Sequence, residues 1–111
     1  MNAERHFRAE GRVQGVMFRQ TLIRAAQKRN LRAAASNMPG GSVTFLLAGD
    51  PDKIEEIATG LTSGREINSW GAHVTRLSPL PENEQIPFEK HQVTTENVDD
   101  FRWSTGVDMY L

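Results

Sequence analysis

The sequence predicts an α+β fold: a split βαβ sandwich in βαββαβ order, its sheet mostly antiparallel, both helices packed on one face, with a short extra C-terminal strand. Two observations carry this expectation. Two stretches show helical amphipathic spacing, and each follows a run in which apolar and polar residues alternate. Between them, a Pro-Gly-Gly cluster separates two further strand-like runs, as a hairpin requires. The right-handed crossover rule leaves few arrangements for two such halves, and the ferredoxin-like one is expected.

Taken in order, residues 5–13 alternate, with Phe7, Ala9, Gly11 and Val13 on one face of a first strand. Residues 14–16, QGV, read as a turn. Over residues 18–29 the period changes: Phe18, Leu22, Ala25 and Ala26 make one helical stripe, while Gln20, Arg24, Gln27 and Lys28 face water. Asn30 suits the left-handed conformation that ends many helices. Residues 31–36 are expected as a second strand, although their alanines have low β propensity. The turn residues 37–41 lead into 42–48, the clearest strand, with Val43, Phe45 and Leu47 on one side.

Asp50 can cap a second helix, Pro51 suits its first position, and Asp52 and Glu55 favour its positive end. Ile54, Ile57, Ala58 and Leu61 form its apolar face, and Gly64 can end it. A fourth strand is expected at 72–77, around Val74 and Leu77. Pro79, Pro81 and Pro87 then punctuate a long polar stretch. Residues 101–104, FRWS, are expected to be the short final strand, before a tail of unassigned state.

The chain has 111 residues, 38% hydrophobic and 24% charged, a size and balance that suit a single domain over 1–111 with one modest core. Thirteen basic and fourteen acidic side chains leave a net charge of -1. That supplies no general field for nucleic acid or an anionic membrane, so any anion recognition has to be local. The absence of cysteine excludes disulfides and thiolate metal sites. The charged N-terminus has no signal-peptide run, and no apolar stretch approaches the roughly 20 residues of a membrane helix. The expected location is the cytoplasm, and the expected state a monomer without nucleic-acid or membrane partners.

Chemistry is expected where the first strand turns into the first helix. In residues 14–19, successive backbone N–H groups can converge on one anion, and the first amides of a helix lack intrahelical acceptors. Gly15 removes a Cβ from that approach, and Arg19 adds a permanent charge with a planar fork matched to two phosphate oxygens. A turn glycine followed by a solvated arginine explains the same spacing, and on spacing alone is the commoner outcome. No GK[ST] or GxGxxG pattern is present, so nucleotide binding has no support.

The stretch GRVQGVMFR resembles the first signature of the acylphosphatase family, G-x-V-Q-G-V-x-F-R, at Gly11, Val13, Gln14, Gly15, Val16, Phe18 and Arg19. The family's second signature is matched in register by Asn37, Gly41, Val43 and Gly49. The resemblance spans about 5–104 and is more specific in the first half. It implies a metal-free, cofactor-free hydrolase that splits acyl phosphates into a carboxylate and inorganic phosphate, the latter also an inhibitor. By motif position, the phosphate loop is Gln14, Gly15, Val16, Met17, Phe18 and Arg19; Arg19 binds phosphate, and Asn37 orients the attacking water. Such residue types fit the chemistry, because an acyl phosphate is already activated and mainly needs positioning and charge stabilisation. No protein base occurs in either motif, so a substrate phosphate oxygen is the expected proton acceptor.

The chain departs from the family where G-W-V-R-N is usual before the asparagine: here Ala33, Ala34, Ala35 and Ser36 precede Asn37. A missing buried aromatic would cost about 2–4 kcal/mol if nothing compensated. Trp70 or Trp103 is the expected filler. This departure motivates a rival reading, an anion-binding domain that has lost turnover. RNA binding on the same scaffold would need exposed strand aromatics in an RNP-like pattern, which SVTFLLA lacks.

Other groups read as structural. His6, His73 and His91 have no metal-ligand spacing and are expected to be unrelated. Glu56, beside Glu55, is expected to be simply solvated, and Asp99-Asp100 to sit in a polar loop. Arg24, Lys28, Arg29 and Arg32 form a basic side to the first helix, expected as a solvated face or as a lure for an anionic substrate.

Overall fold

The structure, a computed structural model, describes residues 2–111. Its order is β1 (Ala3–Arg12), α1 (Phe18–Lys28), β2 (Arg32–Asn37), β3 (Val43–Gly49), α2 (Pro51–Thr62), β4 (His73–Pro79) and β5 (Val93–Thr94), with short 3-10 turns at Glu82–Glu84, Phe88–Lys90 and Val98–Asp100. The five strands form one sheet in the order β4-β1-β3-β2-β5, and every neighbouring pair is antiparallel. This is the ferredoxin-like sandwich expected from the sequence.

Strand registers separate the two faces of the sheet. Directly paired residues share a face, so Phe7, Phe45, Ala35 and Val93 form one row across four strands. All four belong to the core that Leu22, Ile54 and Ile57 close from the helices, and the Phe7 and Phe45 rings stack at 5.1 Å. The opposite row is His6, Leu46, Ala34 and Thr94. Pro87 and Phe88 lie over that second face beside His6 and Leu46, and the Arg32 guanidinium sits 3.7 Å from the Phe88 ring centroid. The polar stretch after β4 therefore roofs the sheet. Both faces of β2 and β3 are covered, which explains why their sequences run apolar without strict alternation.

Local signals at the helix ends hold. Asp50 Oδ1 accepts the Asp52 amide at 2.8 Å with Pro51 at the first helical position, and Asn30 has φ 57° just past α1. Gly11 has a steric reason. The strand register shifts there, and a Cβ would stand 2.7 Å from the His73 carbonyl and the Thr75 amide of β4.

Several expectations need correction. Residues 101–104 are not a strand; the place beside β2 is taken by Val93 and Thr94, which pair with Ala35 and Ala34. Residues 98–103 instead cross α1, where Arg24 supplies the hydrogen bonds that a ladder would: its Nη2 donates to the carbonyls of Val98 and Phe101, each at 3.1 Å. The basic side of α1 is thus engaged. Arg24 also pairs with Asp99 at 3.7 Å and lies over Trp103, while Arg29 Nε reaches Glu56 at 3.3 Å.

Glu56 is accordingly not a lone solvated group. Hydrogen bonds from Lys53 and then Arg29 hold its carboxyl below the usual range. Neither tryptophan fills the space beside the alanines: Trp70 is exposed and Trp103 stacks on Arg24. Ala33, Ala34 and Ala35 are nevertheless each 0% exposed, because the sheet is roofed on both sides. Burial lowers the His91 pKa, and a hydrogen bond with the Pro87 carbonyl opposes this.

Candidate active site

The turn from β1 into α1 is shaped by two residues with positive φ. Gly15 has φ 76°, and Met17, the N-cap of α1, has φ 61° and ψ 25°. A left-handed methionine is uncommon and must be held by its surroundings. Thr21 supplies part of that hold, its amide and its hydroxyl both reaching the Met17 carbonyl, at 3.0 and 2.7 Å. Among the described residues no side chain caps α1, so the amides of its first turn stay available while the helix dipole adds positive charge.

These amides open onto a cavity of ≈ 260 Å³ lined by Gly15, Met17, Phe18, Arg19 and Asn37, with Trp70 and Phe101 at its edge. A Cβ on Gly15 would meet nothing within 4 Å, so the demand for glycine there is conformational. Arg19, in the first turn of α1, donates from Nη1 to Gln92 Oε1 at 2.7 Å. Burial pushes its guanidinium below the usual value, yet arginine starts so far above neutrality that it stays cationic. Asn37 ends β2. It has the parity of Ala33 and Ala35, so it faces the helix side of the sheet. Its Oδ1 is buried and has no hydrogen-bond partner among the described residues, an expensive state unless a water or ligand supplies one.

Two of the expected loop residues serve differently. Gln14 and Val16 do not line the cavity. Gln14 Nε2 donates to the Met38 and Ser42 carbonyls at 3.0 and 2.8 Å, tying the loop to the β2–β3 hairpin that follows Asn37. The Val16 carbonyl accepts from Asn68.

Asn68 and Gln92 bond to residues of this candidate site, and the motifs do not reveal them. Asn68 is fully buried, donating to the Val16 carbonyl at 2.8 Å and Thr21 Oγ1 at 2.9 Å, and accepting from the amides of Trp70 and Ala72. One side chain thus joins the anion loop to the segment before β4. Asn68→Ala leaves several buried polar groups unpaired and is expected to cost about 3–4 kcal/mol, read as a shift in the urea midpoint. A loss below about 1 kcal/mol would remove the bracing role.

Among the described residues, no group of three or more His, Cys, Asp or Glu side chains is placed to hold a metal ion, and no helix is long and apolar enough to cross a membrane. A βαββαβ sandwich whose uncapped first helix opens beside a half-buried arginine has the form of a small phosphate-handling domain. Comparison with known proteins narrows that class. The chain matches the family model described as Acylphosphatase over residues 5–93. It is 36% identical over 72 residues to an acylphosphatase of Thermococcus kodakarensis, covering 65% of this chain and 75% of that one. It is 34% identical over 91 residues to an acylphosphatase of Colwellia psychrerythraea, covering 82% and 93%. The crystal structure of acylphosphatase from Bacillus subtilis superposes with a TM-score of 0.60 at 28% identity, covering 72% of this chain and 83% of that one. The chain belongs to the acylphosphatase family, and family and fold together support acyl-phosphate hydrolysis as its general chemistry.

Proposed function

We propose that the chain, as a single domain over residues 1–111, hydrolyses acyl phosphates in the cavity between α1 and β2 without a metal ion. The observation that carries this reading is the meeting of Arg19, the uncapped amides of α1 and the unpartnered Oδ1 of Asn37 at one cavity. Phosphoryl oxygens sit on the amides and the Arg19 fork, which neutralise charge as it builds. Asn37 Oδ1 accepts a hydrogen bond from a water and aims its oxygen at phosphorus. The water oxygen bonds to phosphorus, the bond from phosphorus to the acyl oxygen breaks, and its electron pair leaves on the carboxylate. The transferred proton goes to a phosphate oxygen, so a dianionic acyl phosphate and water give a carboxylate and dihydrogen phosphate. Metal independence is supported by the lining, where a cation and amides stand in place of anionic metal donors.

The test is phosphate release from benzoyl phosphate by purified protein, with and without chelator. Release well above buffer and unchanged by chelator is expected. No release would favour an anion-binding domain without turnover, and loss with chelator would end the metal-free mechanism.

A further inference from the structure

Trp70 and Phe101 are exposed aromatic side chains at the cavity. Large side chains with an exposed apolar surface are few among the described residues, and these two, 41% and 38% exposed, both line the cavity that holds Arg19 and Asn37. Neither is needed there to close the core. Two aromatic faces left partly bare beside an anion site are poorly explained by packing and well explained by a ligand with a flat apolar group.

Both walls are held from behind. The Trp70 amide donates to Asn68 Oδ1 at 3.0 Å, on the buried side chain that also braces the anion loop. Phe101 lies beyond the residues matched by the family model, on a segment secured by Arg24 through the carbonyls of Val98 and Phe101. The same C-terminal segment returns to clasp the Trp70 loop. Ser69 N donates to the Asp108 carbonyl at 2.9 Å, Asp108 N donates to Ser69 Oγ at 2.8 Å, and Tyr110 N donates to the Ile67 carbonyl at 2.9 Å. One strap therefore supplies Phe101 and pins the loop bearing Trp70, so the aromatic mouth is preorganised.

We infer that Trp70 and Phe101 receive the acyl group, and that the C-terminal segment selects aromatic acyl phosphates over short aliphatic ones. This rests on the hydrolytic reading above. With the phosphoryl group on Arg19 and the loop amides, the acyl group has to leave the anion site through the remaining walls, and the two bare rings are there. An aryl group gains stacking and apolar contact, whereas an acetyl group is too small to use either face.

The experiment compares benzoyl phosphate with acetyl phosphate for wild type, Trp70→Ala, Phe101→Ala and the milder Phe101→Leu, alongside calorimetric binding of benzylphosphonate and inorganic phosphate. Wild type is expected to favour benzoyl phosphate in kcat/KM and to bind benzylphosphonate more tightly than phosphate. Each alanine variant is expected to reduce the benzoyl-to-acetyl ratio of kcat/KM about 5- to 10-fold, through KM for benzoyl phosphate. Phe101→Leu keeps an apolar wall for the strap and should fall between. Turnover with ratios unchanged within about twofold in all variants overturns the aromatic mouth and leaves hydrolysis standing. Absence of turnover with aromatic-dependent benzylphosphonate binding overturns hydrolysis and leaves the mouth standing. Absence of both overturns both.

Discussion

Replacing Arg19 with alanine is expected to lower kcat/KM for benzoyl phosphate on the order of 10³-fold and to weaken inhibition by inorganic phosphate. Among the described residues the guanidinium is the only cation lining the cavity, and it is held by Gln92 Oε1 at 2.7 Å. Both effects belong together, because the fork meets phosphoryl oxygens in the bound substrate, in the transition state and in the product. Arg19→Lys separates charge from shape. It keeps the cation but loses the planar pair of donors and the bond geometry to Gln92, so activity between the two is expected. Near wild-type activity in Arg19→Ala, measured by phosphate release, would remove Arg19 from the mechanism.

Asn37→Ala is expected to separate chemistry from binding. kcat should fall about 10²- to 10³-fold, the scale for losing one positioned polar group, while inhibition by phosphate stays within about twofold. Stability supplies an independent readout. The Asn37 Oδ1 is buried without a partner among the described residues, so the fold carries its desolvation cost and gains no bond in return. Removing the amide should leave the urea midpoint unchanged or higher, the direction expected when a site is kept at the expense of stability. A variant with full turnover would end the water-positioning role. One with a large loss of stability would show the amide to be structural.

Much of this site was legible because its parts are local. The Gln14–Val16 turn, the start of α1 and Arg19 lie within a few residues, and period and turn chemistry report on such neighbours directly. Asn37 was reachable only through the second motif and its register, since nothing in its own surroundings distinguishes a hairpin asparagine. Arg19's partner Gln92 is 73 residues away, and Asn68 is 52 residues from the Val16 carbonyl it binds. Gln92 lies in the stretch that reads as polar, and Asn68 in the connection between the second helix and the fourth strand. Polarity there is necessary, because these side chains satisfy backbone groups of other elements, but composition does not say which.

The error at residues 101–104 has the same origin. Phe101 and Trp103 suit a strand by propensity, yet strand pairing needs a free edge and unclaimed carbonyls. Val93 and Thr94 occupy the edge of β2, and Arg24 takes the Phe101 carbonyl. Likewise, the alanines before Asn37 looked like a missing aromatic because the cover supplied by Pro87 and Phe88 comes from some fifty residues downstream.

What the sequence determined by itself was the βαββαβ order, the end of α1 at Asn30, the capped start of α2 at Asp50 and the glycine turn into α1. Each follows from side-chain period or backbone preference over a few residues. Only the tertiary structure decided that the polar stretch roofs the sheet, that Asn68 and Gln92 bond to the candidate site, and that the C-terminal segment brings Phe101 to the same cavity as Trp70. Those choices depend on closing loops of several tens of residues, a cost met by contacts that no local pattern encodes.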